Sequence, residues 1–516
     1  MEFTQYRPGD TRLNDDDKYI SLIDELYKSI IGTSHLFSSE EFRLSNEKFH
    51  RISHLLIEFF EDIHFDIGIW RSYEKFNEVT FGTKLPGTLS PNVKDVTKDQ
   101  FNALRIQHFL WNIYQTVEPD YVWSPFHHDF VILSKALSLF MSGTEKRFPG
   151  QSSVKMFLNL SNEDGYDVKK KLIWLGTKSY FFRENFNLYL AKGNFKKEIP
   201  VIDDFIVQIT TTWSGMGVID ILAGLLNIPQ SRKDEIKSWY ERHASFYLIK
   251  SSQGKKVIAE NIINQQNYRI IVGSNVNPFK INDLIFGNIV KYGTEWYWSG
   301  KQHSFNSLTK EQIQETKEDF ILNSSIIVYR YDKALLKKAQ DRNIELYKEF
   351  VEYFGSDFIV FSNGIDLATS LQKQASLRYE KLTEGEFEKL KDDYGLINKS
   401  PKFNYPENVV NSENEIALFY NINEGQEILT EYTSLKSSLK KEGKDLTSDD
   451  LDFIYAMIED PSISPAFVQR ILSMFGTKSV LKAYLLKEEN DIDYIIHKHK
   501  GIFFKNRYPT LTIVNK

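Results

Sequence analysis

The 516-residue chain contains no cysteine. That absence excludes disulfide staples, thiolate nucleophiles and cysteine-ligated zinc together. It fits a reducing compartment without requiring one. Long apolar runs are missing as well. Stretches such as FLWNIY and VIDILAGLL fall well short of the roughly 18 residues that mark a membrane helix. The opening MEFTQYRPGDTRLNDDDKY has neither a basic leader nor an apolar core, so no secretory signal is expected. The reading is a soluble, cytoplasmic chain with no membrane partner. A strong charge of either sign is also lacking. The net charge of −6 is too mild for general attraction to nucleic acid or acidic lipid, so any basic binding face must be local. No P-loop lysine and no Gly-x-Ser-x-Gly elbow occur, and nothing orders a Ser/His/Asp triad.

What is present suffices for folded cores. Hydrophobic residues make up 41% and aromatics 14%, and the length implies two to four domains. Residues 1–250 read as helices. Thr97 to Gln100 forms a capping box ahead of Leu104, Phe109, Leu110 and Ile113 at helical spacing. Ser124-Pro125 is a second start signal, for a helix stopping near Gly143. DVKKKLIWLGTKSYFFRENFNLYL predicts a helix interrupted at Gly176, and Ser231 to Asp234 predicts a cap for IKSWYERHASFYLI. The grammar changes near Gln253. Val257 to Ile263, Tyr268 to Val272, Leu284 to Val290 and Glu295 to Ser299 are strand-length runs parted by Gly, Asn, Asp and Pro. Their spacing predicts a small barrel of the SH3-like or OB-like kind over 253–305. From 309 to 516 the pattern is mixed α/β. Thr309 to Gln312 is a capping box, Thr447 to Asp450 and Ser464-Pro465 are helix starts, and SDFIVFSNGIDLATSLQ and ENEIALFYNINEGQEILTEY each read as strand, turn and helix.

Three stretches carry a resemblance. They are SSVKMFLNLSNEDGYDVKKKLIWLGTKSYFFRENF, then IPVIDDFIVQITTTWSGMGVIDILAGLL with WYERHASFY, then the barrel run ending EWYWSG. Together they resemble an uncharacterised family of bacterial proteins, found mainly in Bacteroidetes and known as a domain of unknown function. ALFYNINEGQEILTEY, DLTSDD and SISPAFVQRIL extend the resemblance, which spans roughly residues 152–476. It implies no activity and assigns no functional residue.

The chemistry-bearing candidates are few. In EWYWSG, Trp296 and Trp298 share one face of a strand and Tyr297 takes the other. Outward indoles would form a stacking platform for single-stranded bases, with Lys291, Lys301, Lys280 and Arg269 near enough to meet phosphates. The bland alternative is packing inside the barrel or against a helical neighbour. In FHHD, His127, His128 and Asp129 could begin a metal-ligand set completed by His50, His54 or His108 and by Asp203 or Asp204. Adjacent histidines point about 100° apart on a helix, which weakens that set. Ser214-Gly215-Met216-Gly217 precedes a helix and could present amides to a phosphate, but Asp220 would repel it. Glu241 and His243 do not face each other on a helix. The sequence thus predicts an α+β multidomain protein with a helical region over 1–250, a barrel over 253–305 and a mixed region over 309–516. No cofactor is expected. The function read is binding, with the barrel as recognition module for a protein partner or a single-stranded nucleic acid. The rival is a metal-dependent phosphohydrolase using the His-Asp cluster.

Overall fold

The helix Asn46–Phe65 shows how the N-terminal region is built. The Ser45 side chain accepts from the Lys48 amide and starts it, and Asp66 ends it with a left-handed backbone at φ 49°. Between them Phe49, Ile52, Leu55, Leu56, Ile57, Phe59 and Phe60 are all buried, and so are Glu58, Glu61 and Asp62 on the opposite side, so from Ile52 to Asp62 the helix is buried around its whole circumference. A helix of that kind lies inside a core. Here it is α2, with α1 (Lys18–Ser34) and α3 (Ile69–Phe81) beside it. The computed structural model describes residues 3–86, 88, 101–118, 123–208, 216–240, 243–273, 277–306, 308–323, 333–388, 405–486, 491–500 and 503. They fall into two compact units that part between Asn323 and Lys333. No described helix is long and apolar enough to cross a membrane.

In the first unit the helices continue with α4 (Ala103–Val117), α5 (His128–Thr144), α6 (Ser153–Leu158), α7 (Gly165–Lys178), α8 (Arg183–Gly193), α9 (Ile199–Gln208), α10 (Val218–Leu225) and α11 (Gln230–Lys237). Several starts differ from the sequence expectation. The Thr97–Gln100 box lies outside the described residues, and Asn102 caps α4 instead. Ser124 accepts from the Phe126 amide in a turn, and His127 caps α5. Gly176 does not interrupt its helix. A Cβ there would come within 3.1 Å of Ile206 and 3.2 Å of Val218, so glycine lets α9 and α10 approach α7. The chain breaks only after Lys178.

A five-stranded closed barrel follows: β1 (His243–Gln253), β2 (Lys256–Asn261), β3 (Asn267–Ile271), β4 (Leu284–Tyr292) and β5 (Glu295–Phe305). The order is β1-β2-β3-β5-β4, with β1 also pairing β4 and with β3 and β5 parallel. This Greek-key closure is of the OB type. β1 corrects the expected helix through HASFYLI. Tyr247 and Ile249 point into the barrel core while Phe246 and Leu248 pack outside it, a period of two that only a strand provides. Pro229 precedes α11, so Ser231 lies inside that helix rather than capping it. The expected box at Thr309–Gln312 is formed and opens α12 (Lys310–Asn323). Ile313 and Phe320 of α12 pack on Phe246 and Leu248, with Ile262 and Leu284 buried beneath.

The second unit is a three-stranded antiparallel sheet, β6 (Phe358–Phe361), β7 (Ile416–Asn421) and β8 (Gly425–Leu429), with β7 in the middle. β7 is buried along its whole length. One face, through Ile416, Leu418 and Tyr420, meets α13 (Lys333–Phe354) and α14 (Gly364–Glu380). On the other, Phe419 stacks on Phe467 of the helix Pro465–Phe475. β6 followed by α14 matches the expected strand–turn–helix unit. The later segment does not: GQEIL pairs with β7 as a hairpin before the helix Tyr432–Lys440 begins. The helix starts at Thr447 and Ser464 are both formed.

Candidate functional site

The register of β5 decides where the tryptophans point. Trp296 lies opposite Lys291 and beside Ile270, and Trp298 lies opposite Ile289. Ile270 and Ile289 belong to the barrel core, and Trp298 joins them. Both indoles are therefore on the inner face. Trp298 is buried edge-to-face with Tyr247 at 5.6 Å, and half-buried Trp296 stands edge-on to Tyr268 at 4.9 Å. Two indoles fit so small a barrel because β4 makes room: a Cβ on Gly287 would lie 3.1 Å from the Trp298 ring. Tyr297 takes the outer face and docks onto α7. Its ring is edge-on to Tyr166, and a Cβ on Gly165 would come within 2.8 Å of it. Lys291 and Lys301 are exposed. Trp298 offers no face for stacking, and Trp296 keeps only part of its surface in water.

Asp203, singled out in the sequence as a metal ligand, meets this same strand. Lys169 on α7 pairs with Asp203 on α9. Ser299 Oγ lies 3.0 and 3.2 Å from the two Asp203 oxygens and 3.1 Å from Lys169 Nζ. A serine, a lysine and a carboxylate in contact invite a nucleophile reading, but Ser299 is only 1% exposed. The cluster ties β5 to α7 and α9. Nearby, Lys171 Nζ donates to the carbonyls of Leu160 and Ser161, and Tyr292 donates to the Asn162 carbonyl. The three stretches behind the family resemblance thus converge at one junction.

The His-Asp cluster is built differently from a metal site. Asp129 Oδ1 accepts from the Ser38 amide and hydroxyl at 2.9 and 3.0 Å, and Oδ2 accepts from the Ser39 amide at 3.0 Å. Burial pushes its carboxyl up, yet those hydrogen bonds bring it below the usual aspartate range. His127 Nδ1 accepts from the Asp129 amide, and its ring stacks on Phe42. His128 is exposed. His108 is buried elsewhere, bonded through its two ring nitrogens to Tyr73 at 2.6 Å and Thr88 at 2.9 Å. His50 and His54 lie edge-to-face with each other. Asp203 and Asp204 belong to α9. Among the described residues no group of three or more His, Asp or Glu side chains could hold a metal ion, so the expected ligand set is not assembled.

The remaining candidates are accounted for more simply. Ser214 and Gly215 lie outside the described residues. The Gly217 amide already donates to Asp220, which also accepts from Tyr240. Glu241, Arg242 and the His243 side chain lie outside the described residues too.

Sequence reasoning missed a buried ionic network. On α2, Glu58 pairs with Arg183 at 2.8 Å and Glu61 with Arg7 at 2.6 Å. Arg7 also stands over the adjacent Phe3 and Tyr19 rings. Asp62 accepts from the amides of Gly68, Ile69 and Trp70 at the start of α3 and from Tyr180. No local signal marks it: Glu58, Glu61 and Asp62 read as the polar side of an amphipathic helix, and distant partners, Arg183, Arg7 and Tyr180, meet that side.

One barrel face stays in solvent. Outward from β1, β2 and β3 stand Lys250, Lys256, Ile258, Glu260, Asn267 and Arg269, with Lys255 in the β1–β2 turn. Glu260 pairs with Lys250, and Glu295 receives both Lys256 and Arg269. Burial would raise the Glu295 carboxyl, but the Arg269 and Lys256 hydrogen bonds hold it below the usual range. No aromatic side chain projects outward from β2 or β3.

Fold and site together define a largely helical protein carrying an OB-type barrel. Residues 2–216 match the model of the family described as Protein of unknown function (DUF3843). The match covers α1 to α9 and overlaps the region of resemblance at 152–216, and α10, α11 and the barrel lie beyond it. No curated protein and no solved structure matches the chain.

Proposed function

We propose that the chain is a non-catalytic binding protein whose recognition module is the barrel, acting through the outward face of β1, β2 and β3 on a protein partner. The observation that carries the reading is the distribution of cover on the barrel. α12 packs over the outer side chains Phe246 and Leu248. Tyr297 and Tyr292 are engaged by α7 and the 160–162 loop. The β1–β2–β3 face keeps Ile258 at 41% exposure among charged neighbours. OB-type barrels commonly bind through the β2–β3 face and adjoining loops. That likeness alone says nothing of the ligand. A protein is favoured over a single-stranded nucleic acid because base stacking needs outward aromatics, and the indoles of β5 face inward.

The test is a photo-cross-linking amino acid placed at Ile258 in the living cell, with Val79, an exposed site on α3, as control. Discrete adducts at Ile258 and none at Val79 are expected. Equal adduct patterns, or none at either site, would remove the barrel face as the recognition surface.

A further inference from the structure

The partner's chemistry follows from what this face presents, and the inference rests on the binding reading above. Five cations, Lys250, Lys255, Lys256, Arg269 and Lys280, stand on or beside these strands with three carboxylates, Glu260, Glu295 and the buried Asp283, which accepts from the Lys280 amide. The chain as a whole carries a net charge of −6, so the cationic excess is local. Lys250, Lys256 and Arg269 are held by Glu260 and Glu295. Lys255 and Lys280 make no ion pair among the described residues and are exposed. Two aliphatic side chains close to them in the chain are exposed as well, Ile258 and Ile281. Ile258 is opposite Ser251 on β1. Ile281, 59% exposed, sits in the connection that runs along β1, where the Asn282 amide donates to Ile249 and the Ile249 amide to Asp283. The two isoleucines therefore flank the β1 segment 249–251, which carries a bulge and the outward Lys250.

The barrel is closed, so it has no free strand edge to which an extended chain could add. Recognition at this face must use side chains. Two aliphatic anchors accompanied by cations are complementary to aliphatic side chains flanked by carboxylates. We infer that the face binds an acidic protein segment carrying aliphatic anchors, which seat on Ile258 and Ile281 while its carboxylates reach Lys255, Lys256 and Lys280.

The experiment has two arms. In the first, a labelled peptide of Asp/Glu runs around two leucines is titrated into the full-length protein. A Lys/Arg peptide with the same leucines and an oligothymidylate serve as comparators. Saturable binding of the acidic peptide is expected, weakening as salt rises toward about 0.5 M. It should fall about tenfold in a Lys255→Glu/Lys256→Glu variant and also in Ile258→Ser, with melting temperatures confirming that both remain folded. No salt-sensitive binding of the acidic peptide, or equal binding of the basic peptide or the oligothymidylate, overturns the inference. In the second arm the segments cross-linked at Ile258 in cells are sequenced. Adducts on non-acidic segments overturn the inference but spare the binding reading, and an absence of adducts fails the binding reading itself.

Discussion

His108 gives the sharpest stability prediction. It is fully buried between Tyr73 and Thr88, and burial pushes its imidazole down from 6.5 to about 3. The native state therefore refuses a proton that the unfolded chain accepts below about 6.5. The stability is fully present above that pH and is lost as the pH falls toward the folded value. Each pH unit inside that window costs about 1.4 kcal/mol, so pH 5 should cost about 2 kcal/mol through this residue alone. Urea unfolding at pH 7.5 and pH 5.0 would measure it, followed by the fluorescence of Trp111 and Trp70, whose rings lie 5.2 and 6.0 Å from the imidazole. The control is His108→Gln. It should lose about 1–3 kcal/mol at pH 7.5 from disturbed hydrogen bonds. It should also lose about 2 kcal/mol less than the wild type on acidification. His54, lowered to about 4 by burial, adds acid sensitivity to both proteins equally, so the comparison isolates His108. Parallel losses in wild type and variant would refute the reasoning.

Other substitutions test the packing. Trp298→Ala should destabilise the first unit by about 3–5 kcal/mol, read from thermal or urea unfolding, because the indole fills the barrel. Gly287→Val should cost a further-reaching strain than its surface helix counterpart Gly143→Val, since only the former meets an indole; equal melting temperatures would argue against the packing. Arg183→Met should cost about 3–5 kcal/mol by leaving Glu58 buried and unpaired. The double variant Arg183→Met/Glu58→Leu should recover a large part of that loss, and additive losses in the cycle would contradict the pairing.

Legibility in the sequence followed the range of the interactions. β2 to β5 could be read because short alternating runs are bounded by Gly, Asn and Pro, which is local information. The boxes at Thr309 and Thr447 and the Ser464-Pro465 start are equally local and all form. β1 was hidden because SFYLI follows helix-forming residues, and short apolar runs fit either period. Its strand state comes from pairing with β2 and β4 at once. GQEIL likewise fits either period, and its pairing with β7 fixes it as a strand. The tryptophan question also needed register. Alternation placed Trp296 and Trp298 on one face, but only pairing with Ile270 and Ile289 shows that face to be the inner one. The contacts of Asp203 with Lys169 and Ser299 span 34 and 96 residues, beyond any local pattern.

The absence of native cysteine makes one measurement especially direct. A single cysteine introduced at Ile258, and another at Val79 in a separate protein, can each be timed for modification by a small thiol reagent. The rates are compared between purified protein and intact cells, with free glutathione correcting for reagent entry. If the β1–β2–β3 face is the recognition surface, Ile258→Cys reacts several-fold more slowly in cells than when purified, while Val79→Cys reacts alike in both. Equal protection ratios at the two positions would contradict the account.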